Sequence, residues 1–222
     1  GRAAKKLKCR IEDLTLRDGQ IHAGEGPGIS FEQILMQWFG SRGGEIVGRG
    51  LYQDKKSKKA VLGFPTIFWE VSWGAAEIEL DPETGVIKIL KYVSASDAGK
   101  VIHPIQCSGQ DEGGVITAIG HTLFEEMVYE DGALVNPNLI DYRLPCFNDL
   151  PKTFHSILIE NQNGPGPYGA KGISEGGLLP VAPAIANALY RASGARICDL
   201  PLTPEKVSRA LKEKKAEGGR NQ

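Results

Sequence analysis

Residues 73–80 and 86–95 are short runs containing Trp, Ile, Val and Tyr, and Asp81-Pro82-Glu83-Thr84-Gly85 separates them. Two strand-like runs around a turn predict an antiparallel hairpin, which fixes one sheet in any fold of this chain. The other elements do not follow it in a regular strand–helix alternation. Residues 7–23 read as a second hairpin around Asp18-Gly19. Ser30-x-x-Gln33 is a capping box that opens a short helix through Phe39, with Gly40 placed to end it. Residues 46–52 alternate like a strand, and 54–59 form a charged loop. Apolar positions recur at helical spacing over 104–127, in Ile105, Val115, Ile116, Ile119, Leu123, Phe124 and Met127. A strand is predicted over 154–160, a glycine-rich loop over 163–177 and an Ala-rich helix over 183–192, closed by Gly194. Thr203-Pro204-Glu205 opens a last helix, whose polar end over 212–222 is expected to fray. This order predicts an α+β fold of mixed β-sheets with packed helices.

The chain has 222 residues, enough for one large domain or two small ones. Its 26 basic and 27 acidic side chains leave a net charge of −1, which argues against nucleic acid as a partner. No apolar run approaches the roughly 18 residues of a membrane span. Cys9, Cys107, Cys146 and Cys198 are too scattered for a C-x-x-C pair and suit a reducing, cytoplasmic compartment. The chain starts Gly1-Arg2-Ala3-Ala4 with neither Met nor a signal-peptide pattern.

Of the 28 glycines, Gly109, Gly113, Gly114 and Gly120 fall on the predicted helix, and six more lie between 164 and 177. A helical glycine costs about 1 kcal/mol relative to Ala, so the row is expected where something packs against the backbone. Gly164-Pro165-Gly166-Pro167-Tyr168-Gly169 matches a dinucleotide loop, but its two prolines remove amide donors and no acid follows at the required distance. Gly172-Ile173-Ser174-Glu175-Gly176 matches a nucleophile elbow. The four histidines, 22, 103, 121 and 155, all precede Ser174, against the order of that triad. A Ser174 hydrolase therefore stays only a remote alternative, since triads are defined by geometry. Asp97-Ala98-Gly99-Lys100-Val101 lacks the first Gly and the Ser/Thr of a phosphate loop. His121 and Glu125, four apart, are more simply a surface contact than a metal pair. Trp69 and Trp73 read as core.

Two segments carry a stronger pattern. One is Asp97-Ala98-Gly99-Lys100-Val101-Ile102-His103-Pro104, followed by Gly109-Gln110-Asp111-Glu112-Gly113-Gly114. The other is Tyr168-Gly169-Ala170-Lys171-Gly172-Ile173-Ser174-Glu175-Gly176-Gly177, with Asn138-Leu139-Ile140-Asp141-Tyr142-Arg143-Leu144-Pro145 between them. In this order they resemble the large, molybdopterin-binding subunit of the xanthine dehydrogenase/aldehyde oxidase family, over residues 69–211, and the segment before them resembles the same subunit more loosely. The resemblance implies the family's C-terminal molybdenum cofactor-binding fold. It implies hydroxylation of an aldehyde or N-heterocycle with water as oxygen source. The molybdenum is held by a pterin dithiolene and not by protein side chains. Glu175 matches the catalytic base. Gln110, with Gly109, Lys171, Gly172, Ile173 and Ser174, matches the cofactor-facing positions. A base that takes a proton beside a metal centre suits a carboxylate in a narrow loop.

The pattern departs at Ser174, usually Gly; at Gly176-Gly177, commonly Pro-Pro; and at His103, usually Asn. The family's Phe-Arg-Gly type loop has no counterpart here, nor do the cysteine sets of its iron–sulfur clusters. The resemblance therefore implies a C-terminal part of a longer polypeptide, partnered by the N-terminal part of the molybdenum subunit. Iron–sulfur clusters and FAD are expected on other domains or subunits, and a homo-oligomer is compatible with it. The expected organisation is an N-terminal piece over 1–65, a molybdopterin-binding domain over 66–215 and a disordered tail over 216–222. The alternative is a non-catalytic domain that binds a partner subunit.

Overall fold

The computed structural model describes residues 1–42, 44–45, 47–52 and 67–220, with the backbone alone for 42 and 217–220. It divides into two compact units, Gly1–Gln53 and Asp54–Gln222. The expected boundary at 65/66 and the charged loop over 54–59 lie outside the described residues.

The first unit opens with helix α1 (Arg2–Leu7), closed by Lys8 in the left-handed conformation. Strands β1 (Leu14–Arg17), β2 (Gln20–Ala23) and β3 (Ile29–Ser30) form an antiparallel sheet in that order. Asp18 and Gly19 both have positive φ, 51° and 70°, as a two-residue type I′ turn requires. The first hairpin is thus present, but it starts at Leu14 and not at residue 7. Ala, Lys and Leu favour a helix there, and Ala3 and Ala4 are buried by it. Helix α2 (Phe31–Phe39) carries the expected capping box: Gln33 N–H donates to Ser30 Oγ at 3.1 Å, and Ser30 N–H donates to Gln33 Oε1 at 3.1 Å. Ala3, Ile29 and Ile34 make a small core. The expected strand over 46–52 is not formed at 47–52, where Leu51 is 92% exposed. Gly48 and Gly50 supplied the alternation, and glycine gives a strand nothing to pack. Residue 46 lies outside the described residues.

The second unit is built on β4 (Ser72–Leu80), β5 (Ile87–Gly99) and β8 (Thr153–Glu160), in the order β4-β5-β8. β5 pairs antiparallel with β4 and parallel with β8. The turn between β4 and β5 is closed by Gly85 N–H to Asp81 O at 2.8 Å, with Gly85 at φ 79°. A parallel neighbour needs a crossover, and helix α3 (Pro104–Leu123) supplies it. A short hairpin, β6 (Tyr129–Glu130) and β7 (Ala133–Leu134), follows α3. Helices α4 (Val181–Ser193) and α5 (Pro204–Arg220) complete the unit.

One face of the sheet packs on helices. Val115, Ala118, Ile119 and Leu123 of α3, Val181, Ile185 and Leu189 of α4, and Val207 and Leu211 of α5 repeat at three- and four-residue steps and meet Ile89 and Tyr92 of β5. Burying each large aliphatic side chain contributes about 1.5–3 kcal/mol. Trp69 and Trp73, expected in the core, are 50% and 56% exposed. Trp73 falls on the outward positions of β4, whose burial alternates along its whole length.

Three further expectations are corrected. Asp97-Ala98-Gly99, beyond the strand expected to end at 95 and read from the sequence as a loop with Lys100, is the end of β5, because β8 continues to pair with it to Glu160. α3 stops at Leu123: Phe124 and Glu125 both donate to Gly120 O, which closes the last turn. Glu125 therefore lies off the helix that carries His121. It accepts from Tyr142 Oη at 3.0 Å instead. α5 runs on to Arg220 through a Lys-, Glu- and Ala-containing stretch of good helix formers, into the segment expected as a tail. Residues 221 and 222 lie outside the described residues.

The Tyr92 side chain is fully buried, yet its hydroxyl has no hydrogen-bond partner among the described residues. A buried hydroxyl left unpaired costs about 1–3 kcal/mol. Tyr92→Phe is expected to raise the thermal midpoint in calorimetry; a lowered midpoint would show that the hydroxyl is satisfied.

Candidate functional site

The end of β5, the start of α3 and the loop after β8 converge on one edge of the second unit. The loop folds back on β5: Lys100 N–H donates to Gly169 O and Lys171 N–H to Ala98 O, each at 3.0 Å. Asn161 N–H donates to Gly99 O at 3.1 Å. The centre of this junction is Asp97. Its Oδ2 accepts from Lys171 Nζ at 2.8 Å and from Asn161 Nδ2 at 2.7 Å, and its Oδ1 accepts from Gly99 N–H at 2.9 Å. The Asp97 and Lys171 side chains are only 10% and 8% exposed.

Within the loop, the amides of Gly164, Gly166 and Gly169 donate to Gly169 O, Ala170 O and Gly166 O. The dinucleotide-like glycines therefore close the loop on itself and offer no amide cradle to a phosphate. Gly169 has φ 82°, and a Cβ there would collide with the Gln162 carbonyl. The nucleophile-elbow reading fails on the same segment. Residues 171–180 form no strand-to-helix turn, since α4 starts only at Val181.

α3 begins with His103 as its cap, Nδ1 accepting from Gln106 N–H at 3.2 Å, and Pro104 at its first position. This places Gly109 and Gln110 on the exposed side of the helix. Gly109 and Gly113 meet nothing within 4 Å, whereas Gly114 approaches Leu178 N at 3.5 Å and Gly120 abuts Glu125 and Pro145. Gln110 Nε2 donates to Ser174 O at 3.1 Å, which joins the two sequence segments across the fold. Beside that bond lies a cavity of about 410 Å³ whose lining includes Ala98, His103, Gln106, Gln110, Lys171, Ile173 and Ser174. Gly172, Ser174 and Glu175 are exposed and Ile173 is half-buried. The Lys171 ammonium is engaged by Asp97, so this residue reaches the cavity through its stem.

Two carboxylates near the loop escaped the sequence reading. Asp111, 1% exposed, accepts from Ser94 Oγ at 2.8 Å, Ser96 Oγ at 3.1 Å and Ser156 Oγ at 2.6 Å. Ser94-x-Ser96, at period two and so on one face of the strand with Tyr92, was the available signal. Glu70 accepts from Gly176 N–H at 3.1 Å; no local pattern marks it. Burial raises the proton affinity of Glu70, and the charges of Glu175 and Asp111 add to this against the Gly176 bond. Among the described residues no three His, Cys, Asp or Glu side chains cluster as metal ligands. No helix there is long and apolar enough to cross a membrane.

Burial works to raise the Asp97 carboxyl, but the bonds from Lys171, Gly99 and Asn161 outweigh it and hold the group below its usual range. A carboxyl depressed by folding stabilises the fold above its unfolded value, and this is lost as pH falls through the folded one. The denaturation midpoint is expected to drop on acidification below about pH 4. Asp97→Ala, which leaves Lys171 buried and unpaired, is expected to cost about 3–5 kcal/mol at neutral pH in urea titrations. It also flattens that acid slope; an unchanged slope would assign the acid lability to other groups.

Comparison with known proteins extends the picture to the first residue. The molybdopterin cofactor-binding domain family matches residues 1–151, which include the segment before residue 69 where the resemblance in sequence is looser. The xanthine dehydrogenase molybdenum-binding subunit of Escherichia coli O157:H7 is 32% identical over 214 residues, covering 92% of this chain and 27% of that protein. The nicotine 6-hydroxylase large subunit of Paenarthrobacter nicotinovorans is 39% identical over 229 residues, covering 95% and 26%. The chain thus spans about a quarter of the length of these relatives. The crystal structure of quinoline 2-oxidoreductase from Pseudomonas putida 86 superposes with a TM-score of 0.68 at 27% identity, over 95% of this chain and 27% of that one. A family match over more than half the residues, and relatives that extend it through the loop after β8, lead to one assignment: the chain belongs to the molybdopterin cofactor-binding domain family of the xanthine dehydrogenase and aldehyde oxidoreductase enzymes.

Proposed function

We propose that this chain forms one wall of the active site of a molybdenum hydroxylase acting on an aldehyde or N-heterocycle, with Glu175 as its base. The observation that carries the reading is the Gln110–Ser174 bond, which holds the two family-like segments together beside an open cavity. The cavity suits a cofactor that brings its own metal ligands. It offers a carboxamide able to donate and accept, beside Ile173 and Ser174, but no cluster of metal-ligating side chains among the described residues. When bound, a molybdopterin-type cofactor supplies the oxygen carrier and the acceptor of two electrons.

The chain's own residues place and move protons. Gln110 presents its carboxamide to the cofactor, with one amide hydrogen spent on Ser174 O so that the side chain is oriented. Ile173 and Ser174 line the same wall, and Gly109, exposed with nothing within 4 Å of a Cβ there, leaves the α3 backbone beside Gln110 open to a bulky group. Glu175, exposed at the loop tip, accepts the proton released as water is consumed. Lys171 holds the loop to β5 through Asp97. The proposed partners are the rest of the molybdenum subunit and the domains or subunits that carry iron–sulfur clusters and FAD. The proposed setting is cytoplasmic.

Glu175→Gln in the cofactor-loaded enzyme is expected to lower kcat by at least about 10²–10⁴-fold while molybdenum, measured by metal analysis, stays bound. Retained turnover would remove Glu175 from the role of base.

A further inference from the structure

We propose that Glu70 is a positioning residue that fixes the backbone on which Glu175 stands; this rests on the reading of Glu175 as the base. Glu70 lies just before β4, far in sequence from the loop, and its Oε1 accepts the Gly176 N–H at 3.1 Å. A Cβ on Gly176 would stand 2.5 Å from that oxygen, 2.7 Å from Cδ and 2.9 Å from Cγ. With glycine at residue 176 the carboxylate reaches the amide in this position; a Cβ there would displace it.

The neighbouring positions are also closely placed. A Cβ on Gly177 would collide with Asp111 Oδ1, and it would stand 3.0 Å from the Asp111 carbonyl. Asp111 is itself fixed by the hydroxyls of Ser94, Ser96 and Ser156. On the other side of Glu175, Ser174 O accepts from Gln110. Leu178 N–H returns to Glu175 O at 3.1 Å. The Glu175 side chain is exposed, while Ser174 and Gly176 on either side of it are hydrogen-bonded to α3 and to the segment before β4.

Two successive glycines have the largest conformational freedom of any pair, and alone they would let Glu175 wander. The Glu70–Gly176 bond removes that freedom at the residue next to the base. It is kept although burial and the charges of Glu175 and Asp111 all oppose an ionised Glu70. A half-buried carboxylate under that pressure is retained where its acceptor role matters.

The test has two arms. In the 222-residue chain, amide hydrogen exchange at Gly176 is expected to rise about tenfold in Glu70→Ala, the equivalent of one hydrogen bond to a charged acceptor. Glu70→Gln keeps an acceptor oxygen and is expected to exchange like the wild type. In the cofactor-loaded enzyme, Glu70→Ala is expected to lower kcat by about 100-fold, as for a displaced catalytic group, with KM and molybdenum content unchanged. Glu70→Gln restores most of the rate. Gly176→Ala, whose Cβ meets the carboxylate, lowers kcat similarly, and the double variant is no worse than either alone. Should Glu70→Ala fail to fold, Glu70→Asp, one methylene too short to reach, carries the same expectations. Unchanged exchange at Gly176, full turnover in Glu70→Ala, or equal loss in the Gln and Ala variants each overturns the proposal. An inactive Glu175→Gln beside a fully active Glu70→Ala overturns the positioning role alone. An active Glu175→Gln overturns the base reading and this role with it.

Discussion

The buried Asp97–Lys171 pair decides whether the second unit has a site at all. Asp97 stands where β5 ends, Asn161 where β8 ends, and Lys171 on the return of the loop that follows. Without that ion pair the loop would have only backbone bonds to hold it on the strand. An ion pair this deep is not a cheap source of stability, because desolvation of both charges cancels much of their attraction. Its value is positional. Three donors converge on one carboxylate and fix three chain segments in one register.

Glycine has two roles here that the sequence did not separate. At Gly164, Gly169 and Gly177 a side chain would collide with the protein itself, so those positions serve internal packing. At Gly109 and Gly113 nothing lies within 4 Å. Each still costs helix stability of about 1 kcal/mol relative to Ala. A cost with no return inside the described residues makes sense if the outer face of α3 meets a group that the chain does not itself supply. The expectation of close packing along the whole row was therefore right for Gly114 and Gly120 only.

Period and turn chemistry made much of the fold legible. The β4–β5 hairpin, the capping box of α2, helix α3 and strand β8 were readable because each rests on local spacing. The readings that failed depended on partners distant in sequence. β5 extends through Gly99 because β8 pairs there, which no window of residues around 97 reveals. Residues 47–52 have the alternation of a strand, and alternation alone does not supply a neighbour to bond. For the site, the matching segments were visible as motifs, but the bonds that orient them were not. Glu70 and Gly176 are 106 residues apart, and neither carries a local signature of the other.

The carboxylates gathered around the loop show how one functional group takes several roles by environment. Asp97 is matched by a buried cation and two further donors, so it remains ionised and structural. Asp111 is matched by three hydroxyls, which satisfy it without a counter-charge and turn it into a steric stop for Gly177. Glu70 is part-buried, with one amide donor and two like charges nearby, and its proton affinity is raised. Glu175 is the exposed one of the four, with Ser174 and Gly176 beside it hydrogen-bonded. A base must release what it binds and reach a group that arrives from outside. Of the four carboxylates, Glu175 is the one whose surroundings leave it free to do both.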